Sequence, residues 1–333
     1  MTAGELERGV FVVSIDTELA WGLAHRRNGS GRVDPDAIAA HDLDREREVI
    51  EAMLDVFTRH EIAATWAIVG HLFLDHCTPG ADGRPHPEVV RPSYPWLDGD
   101  WFDIDPSASH EEAPFYYGRD IVERIAACPV AQEIASHGFS HVMAGEPGCS
   151  AAVFASELAA SQAVAARRGL QLRSFVYPRN SIGHRDELVA AGFSSYRGSR
   201  PAAFAASSRW SRRARALVDC MRPSAGSAVV PTREASGLWN IPQTYIFAPA
   251  SSRRRLPPAL WVRQPLVRLR QAARERSLFH LWFHPYNVTA APERALDALE
   301  RLCRAASVLR DQRRLDVVTM AQLSDRLSGL SRA

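Results

Sequence analysis

The stretch VFVVSIDTE (residues 10–18) runs from an apolar segment into two carboxylates, Asp16 and Glu18, with Thr17 between them. A short, nearly continuous apolar run rich in Val, Ile and Phe is the pattern of a buried strand. No GxGxxG turn follows it, so this first strand does not open a dinucleotide-binding unit. Working outward, strand-like and helix-like segments alternate. A helical periodicity covers 41–60, IAATWAIVG (62–70) is extended, a short helix begins at about Gly118, and ASHG (135–138) closes another strand. Helical spacing over 150–169 stops at Gly169. LRSFVYP (172–178) is a strand, 185–193 a helix and LWNIPQTYIF (238–247) extended. FHLWFHP (279–285) is a strand ended by its proline, 291–312 a helix, and LDVVTM (315–320) the last strand. Repeated strand–helix units predict a parallel α/β architecture, and without a nucleotide turn a barrel rather than an open sheet.

The chain has 333 residues, 46% hydrophobic and 23% charged, and a formal charge of +2, too little to argue for nucleic acid. It contains no lysine, which excludes Schiff-base chemistry and P-loop phosphate binding. The five cysteines show no CxxC pair, so their spacing suggests neither a disulfide framework nor a thiolate zinc site. The acidic, polar start does not read as a signal peptide, and no stretch approaches a membrane span; a cytoplasmic protein is expected. Two segments break the alternation, about 77–117 and 198–236. The first, with Tyr94, Trp96, Trp101 and Phe102, is expected to be a lid. With no internal repeat and no clean linker, residues 1–333 are expected to form a single domain.

Reactive side chains fall at several strand ends. Asp16 and Glu18 follow the first strand, and His137 and His141, four apart, lie in SHGFSH (136–141). Arg179 and Asn180 follow FVYP, and His284 ends the strand at 279–284. In a parallel barrel such positions converge at the C-terminal ends of the strands. Two imidazoles and one carboxylate make an open three-ligand metal site, and a remaining carboxylate and histidine can serve as base and acid. Taken singly, each has a plainer reading: a capping DxE, core histidines, a rim histidine. Their joint order favours metal-assisted hydrolysis.

With these motifs the sequence resembles the polysaccharide deacetylase (NodB-homology, carbohydrate esterase 4) family over about Phe11–Leu327. SIDTE resembles the first motif and SHGFSH the two-histidine metal motif. ATWAIVG (64–70) resembles the second strand, SFVYPRN (174–180) the third motif, and LWFH (281–284) the last. The family's adjacent Asp-Asp pair is Asp-Thr-Glu here, Val176 stands where it often has arginine, and IPQTY (241–245) matches its fourth motif loosely. The resemblance implies a distorted (β/α)7-type barrel and one divalent metal, commonly Zn2+, with Co2+, Mn2+, Ni2+ or Fe2+ as alternatives. It further implies removal of N-acetyl or other N-acyl groups from amino sugars or glycoconjugates. On it, Glu18, His137 and His141 are assigned as metal ligands, Asp16 as base and His284 as acid. Arg179 is assigned to pair with Asp16 and to lend a backbone N–H to the oxyanion. Trp96, Trp101, Tyr177, Asn180, Arg197 and Trp282 are expected to bind substrate. From their place just past another strand, Arg197 and Arg200 have two readings, recognition of a phosphate or carboxylate on the substrate or surface salt bridges.

The stretch 251–276 carries eight arginines and one acid among apolar residues. Its plain reading is a basic helix face packed on the barrel; its functional one is contact with an anionic membrane, which would suit a lipid-linked or nucleotide-linked sugar. Alternatives for the whole chain are a deformylase or cyclic-amide hydrolase, a non-catalytic carbohydrate-binding relative, or a metal-free glycosidase using Asp16 and Glu18.

Overall fold

The computed structural model describes residues 2–26, 43–199, 227–248 and 258–330. Its centre is strand β2 (Gly9–Thr17), buried along its whole length. β2 lies parallel to β3 (Thr65–Ile68) on one side and β10 (Leu278–Phe283) on the other, and β11 (Leu315–Val317) pairs with its first residues. Beyond β3 the sheet continues in parallel through β4 (Glu133–Ser136), β5 (Ser174–Val176), β6 (Ser195–Arg197) and β8 (Trp239–Asn240). The antiparallel β7 (Thr232–Arg233) and β1 (Thr2–Ala3) extend that end, and β9 (Tyr245–Ile246) lies parallel beyond β10. Residues 241–244 draw the two ends together. Ile241 N–H donates to Tyr196 O of β6, and Thr244 N–H donates to His280 O of β10. The sheet therefore curls into the distorted α/β barrel expected from the sequence.

The two-residue period of a strand sorts its side chains between two environments. Phe11, Val13 and Ile15 face outward into the main core, against Val49, Met53 and Phe57 of α1 (Leu43–His60). Val10 and Val12 face inward, and the same column continues upward as Ser14 and Asp16. β10 repeats the pattern. Phe279, Leu281 and Phe283 join the outer core with Leu299 and Leu302 of a later helix, Pro292–Asp311, while Leu278 joins the inner apolar cluster. The barrel interior is apolar at the bottom and polar at the top, so the site is prepared by the order of residues along each strand.

A helix over Met320–Leu330 closes the bottom with Met320, Leu323 and Leu327. The sequence pattern extends the last strand to Met320, but a capping box starts a helix there. Gln322 N–H donates to Thr319 Oγ1 and Thr319 N–H donates to Gln322 Oε1.

The 77–117 insertion is mostly irregular, with one 3₁₀ turn at Trp101–Ile104. Three of its aromatics are not available to a ligand, contrary to the lid expectation. Tyr94, Trp101 and Phe102 are buried in the main core. Trp96 is exposed, stacked on Tyr94 at 5.1 Å between ring centroids. In the basic stretch, Trp261, Val262 and Leu269 are buried in the core, so these apolar side chains are spent on the barrel and not on a lipid surface. Residues 251–257 of that region and 200–226 of the second insertion, including Arg200, lie outside the described residues. Among the described residues no helix is long and apolar enough to cross a membrane.

Candidate active site

Strand register sets the site. Phe283 of β10 stands opposite Ile15 of β2, so the residues one step on, His284 and Asp16, emerge side by side. Thr17, Ile68 and Ser136 share the last row of β2, β3 and β4, so Glu18 and His137 follow at one level. The next histidine, His141, is brought back to His137 by a turn in which Gly138 has φ 77° and His141 itself has φ 66°. Glycine takes that left-handed backbone at no steric cost, whereas a histidine there is held by its surroundings.

Four side chains meet at one oxygen. Glu18 Oε1 lies 3.0 Å from His137 Nε2, 3.2 Å from His141 Nε2 and 3.2 Å from His284 Nε2. His284 Nε2 is also 3.7 Å from Asp16 Oδ2. His137 Nδ1 donates its proton to the Val176 carbonyl at 2.7 Å. The direction is fixed because a carbonyl only accepts. In the tautomer protonated only at Nδ1, the Nε2 lone pair faces a carboxylate oxygen, which is also an acceptor. His141 Nε2 is buried without a well-formed hydrogen bond. Acceptors converging with no hydrogen between them are what a cation between them would satisfy. Glu18, His137 and His141 fit a divalent ion by type and proximity.

Burial pushes the Glu18 carboxyl up, but His284 and His141 outweigh it and hold the group well below the usual carboxylate range. Burial holds His141 below its ordinary value. His284 is also pushed down by burial, yet Glu18 and Asp16 reverse this and raise it. Its ring stacks on Tyr286, with centroids 4.4 Å apart.

The arginine facing Asp16 is Arg197, not Arg179 as the motif resemblance implied. Its guanidinium meets Asp16 in a two-pronged pair, 2.5 Å to Oδ1 and 2.6 Å to Oδ2, and also donates to Ser14 Oγ at 3.1 Å. Such a fork grips both carboxylate oxygens at once. The guanidinium also lies over the Trp282 ring at 4.6 Å. Arg197 is 1% exposed, which removes it from the expected substrate-reading role. Burial raises the Asp16 carboxyl and Arg197 outweighs it, so the group stays ionised below its ordinary range. Behind them His280 closes the network. Its Nδ1 faces the Ile241 carbonyl at 3.2 Å and its Nε2 accepts from Ser14 Oγ at 2.8 Å.

Arg179 sits in a 3₁₀ turn with φ 52°. Asn180 lies beside the pair, its Oδ1 3.5 Å from Arg197. Tyr177 and Trp101 were expected to touch substrate, but both are buried. Tyr177 donates to Gly183 O at 2.8 Å and Trp101 Nε1 to Ser140 Oγ at 2.8 Å. Trp96 donates to Glu146 at 2.9 Å, leaving its ring face outside the core.

Two supporting residues are not visible in the sequence motifs. Glu157, fully buried on the helix Ala151–Ala166, accepts from Phe139 N–H, Ser140 N–H and Ser140 Oγ at 2.8, 2.8 and 2.5 Å. It fastens the turn between the two histidines, and nothing in a helical glutamate's spacing announces this. Gly22 is the other. A Cβ there would stand 2.0 Å from Glu18 Oε2, so only glycine admits the carboxylate.

No family model and no curated protein matches the chain. Among solved structures its fold is similar to a putative polysaccharide deacetylase from Mycobacterium smegmatis, with TM-score 0.61 and 14% identity over 99% of this chain and 96% of that one. It is also similar to a probable polysaccharide deacetylase from Pseudomonas aeruginosa PAO1, with TM-score 0.57 and 10% identity over 95% and 89%. These likenesses define the class of fold, the distorted α/β barrel of the polysaccharide-deacetylase kind.

Proposed function

We propose that this protein is a metal-dependent amide hydrolase that removes an N-acetyl or other N-acyl group from an amino sugar or glycoconjugate. The observation that carries the reading is the convergence of His137, His141 and His284 on Glu18 Oε1, with an arginine-held Asp16 alongside. Glu18, His137 and His141 would hold the ion, Zn2+ by the chemistry of the donor set. When bound, such an ion polarises the amide carbonyl and makes water a stronger acid.

The remaining residues divide the proton work. Asp16, ionised and fixed by Arg197, accepts a proton from the attacking water. Ser14 and His280 keep Arg197 in register, so the base is oriented from behind. His284, beside Asp16 and with its pKa raised by the neighbouring Glu18 and Asp16 carboxylates, donates to the departing amine. The backbone N–H of Arg179 is the candidate oxyanion donor, because the Asn180 N–H is already given to Tyr177 O. The products are a free amine and a carboxylate such as acetate.

The burial of Trp101 and Tyr177 weakens the case for a sugar, since only Trp96 and the partly buried Trp282 remain of the expected aromatic platforms. That observation favours, as the second reading, a smaller amide such as an N-formyl compound on the same residues. The test is a panel of N-acetylated amino sugars, their oligomers and N-formyl compounds, assayed for free amine with zinc-loaded protein. Amine release from the acetylated sugars supports the first reading and release from the formyl compounds alone the second. Turnover undiminished by chelation contradicts both.

A further inference from the structure

A second cluster of metal-binding side chains lies outside the site described above. We infer that His71, Cys77, His86 and Asp105 form a structural zinc site that staples the 77–117 insertion to the barrel. His71 sits in the 3₁₀ turn Gly70–Phe73 just after β3, Cys77 and His86 lie in the insertion, and Asp105 ends its turn at Trp101–Ile104. All four are buried, and their ligand atoms lie within 4.8 Å of one another.

The donor geometry asks for a cation. His71 Nδ1 lies 3.0 Å from the Tyr116 carbonyl. A carbonyl can only accept, so that nitrogen carries the proton. A neutral ring then aims its Nε2 lone pair at Asp105 Oδ2, 3.1 Å away, acceptor against acceptor. The same Oδ2 is 3.0 Å from His86 Nε2, which is 3.3 Å from Cys77 Sγ. Ligands on a tetrahedral zinc, with bonds of about 2.0 Å to N or O and about 2.3 Å to S, stand roughly 3.3 Å apart for N and O and roughly 3.5 Å for N and S. The three pairs just named already have nearly that spacing.

The surroundings are those of a ligand set as well. Asp105 Oδ1 accepts from Ser107 N–H at 2.8 Å, leaving Oδ2 for the centre. The Tyr116 carbonyl fixes the His71 tautomer, as partners behind a metal-binding ring do. One thiolate and one carboxylate would neutralise a divalent ion, so the buried site would carry no net charge. Binding replaces the Cys77 thiol proton with a zinc–sulfur bond and releases that proton to solvent. The ligands are spread along the chain and match no CxxC signature, which is why cysteine spacing alone gives no hint of the site. Phe139, between the two active-site histidines, packs on both rings, 5.8 Å from His71 and 4.9 Å from His86 by centroid. The staple would therefore stiffen the turn that carries His137 and His141.

This inference does not depend on the proposed activity, because Cys77 offers a thiolate and Glu18, His137 and His141 do not. The experiment is elemental analysis and cobalt exchange of the full chain, wild type beside His137→Ala/His141→Ala and Cys77→Ser. Expected are about two zinc ions per chain in the wild type and about one in the double variant. The cobalt-loaded double variant should keep a near-ultraviolet thiolate-to-cobalt band, and Cys77→Ser should lose it. Should Cys77→Ser fail to fold, the wild-type and double-variant spectra decide. Overturning results are a single ion lost in the double variant, or two ions without a thiolate band.

Discussion

Removing the Arg197 guanidinium should be among the most damaging single changes to this protein. Arg197 is 1% and Asp16 3% exposed, so Arg197→Ala strands a carboxylate with almost no access to water. It also removes the donor to Ser14 Oγ and uncovers Trp282. Breaking a buried pair from one side costs about 3–5 kcal/mol, against a total stability of roughly 5–15 kcal/mol. With a urea m-value of about 3 kcal/mol/M, the unfolding midpoint should fall by about 1 M or more. Arg197→Lys keeps the charge but cannot grip both oxygens, so it should recover only part of the loss. The double variant Asp16→Ala/Arg197→Ala should be more stable than Arg197→Ala alone, because the stranded charge is gone. Urea unfolding of wild type, both single alanine variants and the double variant completes the cycle. A loss under about 1 kcal/mol in Arg197→Ala, or strict additivity in the double variant, would refute the view that this pair anchors the site.

Other outcomes follow from the surrounding residues. Gly22→Ala should leave the fold intact but push Glu18 aside, lowering zinc affinity about tenfold or more; unchanged affinity by competition with a chelator would contradict this. Glu157→Ala should cost about 3 kcal/mol by leaving three buried donors unmatched, and weaken metal binding; wild-type thermal stability would argue against it. Burial, with Arg197 adding to it, holds the His280 pKa down to about 3, against an ordinary value of 6.5 that the unfolded chain keeps. The unfolded state therefore takes up a proton first as pH falls. The stability of a neutral His280 is fully present above about pH 6.5 and is lost towards pH 3, at about 1.4 kcal/mol per pH unit midway. His280→Asn should flatten that slope in urea titrations between pH 6 and 4, and an unchanged slope would remove His280 as its source.

The parts of the site legible in the sequence were those fixed by strand ends. A buried strand must stop somewhere, and Asp16, Glu18 and His284 stand where apolar runs give out, while the HxxxH spacing carries its own signal. The pairing of Asp16 was not legible, since β6 is three residues long and carries no period, so nothing marked Arg197 over Arg179 as the inward-facing arginine. Aromatics in the insertion and after β5 misled for another reason. Trp101 and Tyr177 have polar ends that find partners inside the protein, and composition cannot tell a satisfied core side chain from an open platform. The last helix was legible in principle, because TMAQ (319–322) is a capping box that the apolar run before it obscured.

The most direct test of the central claim is acetate release from an N-acetylated amino-sugar oligomer by zinc-loaded wild type and Asp16→Asn, with bound zinc quantified in both. The account predicts release by the wild type, and a loss of about 10²–10⁴-fold in Asp16→Asn at unchanged zinc content. Equal release by the two proteins would contradict the assignment of Asp16 as the base and with it the proposed chemistry of the site.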